Sequence, residues 1–255
     1  MAFSHAVFLG YDMFKRNKNN NIAESGNELM FTNKFLIRML WPLFVEQFLI
    51  FAVGLVDSIM VASVGEAAVS AVSLIDSIMI LITTVMIALS TGGAVVVGQY
   101  LGQEKKEEAC EAADQLILFT ILFSLILIVF LYIFREGLLA LIFGNIEEDV
   151  MNYCNIYYII VIASVPFQGL YNSGAALFRS VGNSKLSMKI SFLMNGINVT
   201  GNAVLIFGFH RGVEGVAIPT LISRIIAAVI IFVLLKRPEL GVHISKKLSG
   251  DLILR

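Results

Sequence analysis

An aspartate, Asp57, stands inside the apolar string LVDSIMVAS. A carboxylate at the centre of a membrane-spanning helix opposes insertion by about 2.5 to 3.5 kcal/mol, so an ionisable group there points to an aqueous cavity, a partner or a bound proton. Glu46 precedes it by eleven residues. At about 100° per residue the two carboxylates return to within ~20° of one helix face, which predicts a vertical polar track. Glu46 either belongs to that track or lies near enough to the inner interface for its head to reach water.

Further along, Ser191, Asn195, Asn198 and Asn202 recur at i, i+4, i+7 and i+11 and draw one polar stripe along an apolar helix. The stripe suits an interhelical hydrogen-bond seam, a cavity wall, or oxygens that coordinate a cation. Ser73, Asp76, Thr83 and Ser90 follow a similar spacing. Asp76 is either a second functional carboxylate or the partner of Arg224, and the cost of a lone buried arginine favours the pairing. Gln168, Asn172 and Arg179 share a face near Pro166, with Arg179 at the inner boundary as a topological anchor.

These residues need long helices to carry them. The chain is 58% hydrophobic and 15% charged, with a mean hydropathy of +0.85, which excludes an ordinary water-soluble domain. About 20 apolar residues span ~30 Å of hydrocarbon. Six stretches qualify: Trp41–Val61, Ala67–Val97, Leu116–Phe134, Tyr153–Phe178, Leu186–Phe207 and Val213–Leu235. Short loops between them force antiparallel neighbours into one all-α, six-helix bundle over residues 34–235. Small residues at Gly92, Gly93, Gly98, Gly169 and Gly174 predict close helix approach, and Pro166 predicts a kink in the fourth span.

Residues 1–33 read as a polar cytoplasmic leader without regular structure, and 236–255 as a cytoplasmic connector. Leu248–Arg255 restarts apolar spacing, as if a seventh helix followed. Fifteen of the 18 Lys and Arg residues fall on the side of the termini, while Arg135 and Arg211 fall on the other. By the positive-inside rule, both ends are cytoplasmic. The two cysteines, Cys110 and Cys154, belong to opposite membrane faces and are not expected to pair. The sequence holds no phosphate-binding Gly-Lys-Ser loop, and its three histidines lie outside the spans, which argues against a nucleotide engine and an intramembrane protease. The expectation is a membrane protein that is not an enzyme and has no nucleic-acid partner.

Several strings together resemble multidrug and toxic compound extrusion (MATE) transporters. WPLFVEQFLIFAVGLVDSIMVASVGEAAVSAVSLID resembles the family's opening, and ALSTGGAVVVGQYLGQEKKEEA its helix-two end and first inner loop. PFQGLYNSGAALFRSVGNSK resembles its helix-four exit, and NVTGNAVLIFGFHRGVEGVAIPTLISR its hairpin from helix five to helix six. The resemblance covers about residues 36–250 and implies one six-helix lobe of a twelve-helix, two-lobe transporter.

The implied function is a secondary antiporter in the cell membrane, exporting organic cations in exchange for H⁺ or Na⁺, with no cofactor and no metal beyond a Na⁺ at Asp57. Asp57 matches the helix-one aspartate that binds the coupling ion, and Asn198 matches a helix-five asparagine of the same cluster. Asn202 stands where many members have aspartate, so this chain lacks that second carboxylate. Glu46, Asp76, Gln168, Asn172 and Asn195 are the candidates for the substrate cavity, Asn172 near a polar helix-four position of the family. The implied partners are an organic cation, membrane lipid and a second six-helix lobe, without which a solitary chain is expected to be inactive or to act by association. The alternatives are a related flippase for lipid-linked sugars, whose pyrophosphate would need cavity cations of which Arg224 is the deep one, and a non-transporting six-helix membrane subunit.

Overall fold

In lipid each backbone N–H and C=O must be satisfied within its own segment, so long apolar stretches become helices. The computed structural model describes residues 33–144, 147–237 and 243–244. They form α1 (Asn33–Ala62), α2 (Glu66–Gly102), α3 (Lys106–Ile133), α4 (Arg135–Phe143), α5 (Glu148–Ile162), α6 (Val165–Ser180), α7 (Ser184–Ala203) and α8 (Glu214–Leu235). A π-helical turn, Val204–Gly208, extends α7. Five helices are each long and apolar enough to cross a membrane, and α5 with α6 forms a sixth span bent by 45°. The all-helical six-span architecture expected from hydropathy is thus present, and no strand occurs among the described residues.

The elements differ from the sequence expectation in several places, of which three bear on the interior. The fourth span is two helices, and the chain breaks at Ala163–Ser164 rather than bending at Pro166. Pro166 falls in the first turn of α6, where a missing N–H costs no intrahelical bond. The outer segment around Leu138–Phe143, expected to be loop, is helix α4, which seats Leu139 in the core. Helix α3 starts at Lys106, well before Leu116, because the polar run there is amphipathic. It buries Ala109 and Ala113, and Glu107 and Glu108 sit in the first turn, where the helix dipole favours acid. Most of the leader over 1–33 and the connector over 236–255 lies outside the described residues.

Two apolar clusters build the interior. The outer one gathers Val61 of α1, Ile75 and Met86 of α2, Tyr158 of α5, Val165 of α6, Ile206 and Ala217. The inner one gathers Val97, Ile117, Tyr171, Phe178, Ile190, Ala227 and Ile231. Along α2, α7 and α8 polar residues fall between the two clusters: buried Ser90 on α2, the buried asparagines on α7, and half-buried Thr220 and Arg224 on α8. Hydroxyls in this layer satisfy themselves locally, as Thr120 does on the carbonyl of Leu116 at 2.8 Å. They also link helices. The Ser173 hydroxyl lies 2.9 Å from those of both Ser90 and Thr120, tying α6 to α2 and α3.

Small residues set the helix spacing, although not at every expected position. A Cβ on Gly174 would run into Ile231 of α8, and one on Gly93 into Leu116 of α3. Gly169 faces Thr120 closely, while Gly92 faces open space and Gly98 has only ordinary contact. The turn from α6 to α7 uses Gly182 at φ 79°. There the Asn183 amide bonds back to the carbonyl of Phe178 at 2.8 Å, a glycine-dependent helix stop. On the outside, α1 leaves Phe44, Phe48, Phe51, Leu55 and Ile59 exposed along one stripe. Its opposite face carries Glu46 and Asp57 inward.

Candidate ion-binding site

Asp57 reaches the lobe interior one turn before the end of α1, and α7 meets it there. Asn202 donates through Nδ2 to Asp57 Oδ1 at 2.7 Å. Asn198, one turn earlier on α7, lies 2.9 Å from the Thr220 hydroxyl of α8. With the Asn198 amide turned so that its oxygen accepts from Thr220, its Nδ2 reaches both Asp57 oxygens at 3.2 and 3.3 Å. That orientation satisfies both ends of the amide, the criterion by which amides are assigned. The carboxylate is therefore held by two amides of one helix, with a hydroxyl from a third helix behind them. Asn202 Oδ1 is buried and has no hydrogen-bond partner. A buried, unpaired carbonyl oxygen beside a carboxylate is an expensive arrangement unless a proton donor or cation completes it.

The α7 stripe is packed between helices. Ser191 and Asn202 are fully covered, and Asn195 and Asn198 nearly so. Asn195 stays apart from the Asp57 group: its Nδ2 donates within the helix to Ser191 Oγ at 3.3 Å. Of the ion-site residues read from sequence, Asp57, Asn198 and Asn202 come together. The remaining candidates disperse. Thr220 was missed, since a single threonine in an apolar helix carries no pattern.

Glu46 belongs to a separate group toward the inner end, and it does not reach water. It is 4% exposed. Ser187 of α7 donates to Oε2 at 2.7 Å. Tyr171 of α6 donates to Oε1 at 3.2 Å. Arg179 of α6 forms an ion pair with Glu46 at 3.8 Å. Arg179 is thus a partner of the first helix and not merely an anchor at the boundary. The shared helix face of Glu46 and Asp57 is real, but different neighbours occupy its two levels.

Asp76 and Arg224 do not form the direct bridge that burial cost suggested, since no ion pair within 4 Å joins them among the described residues. Asp76 accepts from the hydroxyl of Tyr157 on α5 at 3.1 Å, and Tyr157 is itself buried. Arg224 donates through Nη1 to Ser164 at the α5–α6 break. Each charge instead has a neutral partner, Tyr157 for Asp76 and Ser164 for Arg224. Gln168 donates to Thr83 of α2 at 3.0 Å and leaves Oε1 buried without a partner, and Asn172 Nδ2 is likewise unpaired. Both cysteines are free.

The family model described as MatE matches residues 42–204. The chain is 29% identical over 216 residues to an uncharacterized transporter, YisQ, of Bacillus subtilis, a match covering 83% of this chain and 47% of the relative. It is 24% identical over 211 residues to a probable multidrug resistance protein, NorM, of Thermotoga maritima, covering 81% and 45%. Among solved structures, a MOP superfamily transporter from Pyrococcus furiosus shares the fold with a TM-score of 0.79 at 19% identity, over 86% of this chain and 49% of that one. The chain spans about half the length of the relatives it matches. The match to the family model over most of the six-helix region shows that the chain belongs to the MatE family, the multidrug and toxic compound extrusion transporters.

Proposed function

We propose that the chain forms one lobe of a secondary antiporter that exports cationic drugs in exchange for H⁺ or Na⁺, with Asp57 as the ion-binding residue. The observation that carries this reading is the Asp57 carboxylate held by Asn202 inside the lobe, with the Asn202 oxygen beside it unpaired. The Asp57 carboxylate and the unpaired Asn202 oxygen, with a threonine hydroxyl nearby, form a hard donor set suited to a proton or a monovalent cation. Ion uptake replaces the charge that a cationic drug would otherwise balance, so the two cannot share the lobe at low cost. That exclusion is the basis of exchange. Multidrug names among the relatives, including a multidrug export protein of Staphylococcus haemolyticus, support the substrate class.

The relatives' length leaves room for a second six-helix lobe, and alternating access requires two halves about a central site. The exposed apolar stripe of α1 offers a surface to lipid or to that lobe. The basic-residue bias supports a plasma-membrane orientation with both termini cytoplasmic. The flippase alternative gains no support: Arg224, its deep cation, is engaged with Ser164 inside the lobe. No observation favours the non-transporting subunit.

The test is Asp57→Asn in the transporter completed by its second lobe, assayed in drug-sensitive cells with a fluorescent organic cation. The variant should reach the membrane at the normal level and lose ion-driven efflux. Efflux near the unsubstituted rate would remove Asp57 from the mechanism.

A further inference from the structure

The short helix α4 follows the outer end of α3 and precedes α5. The α3 ladder stops where the Phe134 amide donates to the carbonyl of Phe130 at 3.0 Å. A new ladder opens with the Leu138 amide on the carbonyl of Phe134 at 2.8 Å. Just below this joint, α3 and α5 exchange two tyrosine bonds. The Tyr132 hydroxyl donates to the carbonyl of Ile159 at 2.6 Å, and the Tyr158 hydroxyl to that of Leu131 at 2.8 Å. They fix the point from which α4 departs.

The residues of α4 fall into three sectors. Leu139 is buried in the outer apolar cluster, and Phe143 packs against that cluster. Counting about 100° per residue from Leu139, Ile142, Leu138 and Leu141 fall between about 60° and 160° to one side. Glu136, Ala140 and Gly137 fall between about 60° and 160° to the other. The first flank is apolar and open: Leu141 is 85% exposed and Ile142 50%. The second is small or charged, and all three of its residues are exposed. A helix with a core face, an apolar open flank and a water flank suits a boundary between lipid and water.

The level of α4 follows from α3. The apolar part of α3, residues 116–133, rises about 27 Å at 1.5 Å per residue, against ~30 Å of hydrocarbon. It therefore delivers α4 to the edge of the hydrocarbon. Ile126, Phe130 and Ile133 form an uncovered stripe along this span, as a face toward acyl chains does. The rings of Phe130 and Phe134 lie 4.7 Å apart and carry that stripe to the joint with α4.

We propose that α4 is a membrane-surface helix whose Leu138, Leu141 and Ile142 flank enters phospholipid at the boundary between headgroups and acyl chains. Glu136 and Ala140 then face water, and Leu139 fastens the helix to the lobe. The occupant of the open flank is lipid because the flank continues the lipid-facing stripe of α3. Held by the two tyrosine bonds at its base, α4 sets the level at which the outer ends of α3 and α5 meet the membrane surface.

The test uses the full chain with its single tryptophan removed by Trp41→Phe, reconstituted in phosphatidylcholine vesicles that contain lipid brominated high on the acyl chain. Leu141→Trp in this background reports the apolar flank and Ala140→Trp the water flank. Brominated lipid should quench the first severalfold more than the second, and aqueous iodide should quench the second severalfold more than the first. Strong iodide quenching with no bromine quenching in Leu141→Trp would put the flank in water and overturn the proposal. Quenching by neither would show a protein surface over the flank, a second copy or another lobe, and would also overturn it. Equal bromine quenching of both variants would show that α4 is immersed without the three-sided orientation, with the same consequence. Should Leu141→Trp not fold, Ile142→Trp reads the same flank with the same outcomes.

Discussion

Asn202 and Asp57 stand 145 positions apart in sequence and 2.7 Å apart in space, joined by a hydrogen bond from amide to carboxylate that ties α7 to α1. The bond explains how a carboxylate is tolerated at this depth. It also leaves Asn202 Oδ1 buried without a partner.

Asn202→Asp puts a second carboxyl at that distance. Two carboxylates so close cannot both be ionised, so one proton should be retained between them. Infrared spectra at neutral pH should show a protonated carboxyl that the unsubstituted chain lacks. If no such band appears, the α1–α7 contact is looser than 2.7 Å implies.

Glu46 fastens the inner half of α1 to α6 and α7 through Tyr171, Arg179 and Ser187. Glu46→Ala leaves those donors unsatisfied and should destabilise the lobe by about 1–3 kcal/mol. Glu46→Gln keeps an oxygen acceptor and should recover part of the loss. Thermal unfolding in detergent measures both, and equal midpoints for the unsubstituted chain and Glu46→Ala would show that the group does not hold α1.

Gly174 and Gly92 should respond oppositely to a methyl group. Gly174→Ala drives a Cβ into Ile231 and should cost about 1–3 kcal/mol by overpacking, whereas Gly92 faces open space. Gly92→Ala should be neutral or slightly stabilising, because alanine is the better helix former. Unfolding midpoints that rank the two variants the other way would contradict the α6–α8 packing.

Lys105 closes the short turn between α2 and α3, and Glu147 precedes α5 on the far side of α3. Single cysteines at these positions should react with an impermeant thiol reagent from opposite membrane faces, Lys105 from the cytoplasm. Reaction of both from one side would overturn the orientation drawn from the basic residues.

Sequence by itself determined the six apolar spans, the helical class and the residues that could carry an ion. Hydropathy decides what lies in lipid, and a period of 3.6 decides which side chains share a helix face. Asp57, Asn198 and Asn202 were legible for that reason, together with the resemblance that aligned them. Periodicity does not determine which neighbour a face meets. Close packing at Gly174 and Gly93, the break at Ser164 and the antiparallel order of the helices decided that. They placed Thr220 behind Asn198, sent Glu46 to Arg179, and gave Arg224 the hydroxyl of Ser164 and Asp76 that of Tyr157. Each of those partners is on another helix, and each is a common residue with no local pattern. Only the folded lobe, in which every buried donor competes for the nearest acceptor, could assign them.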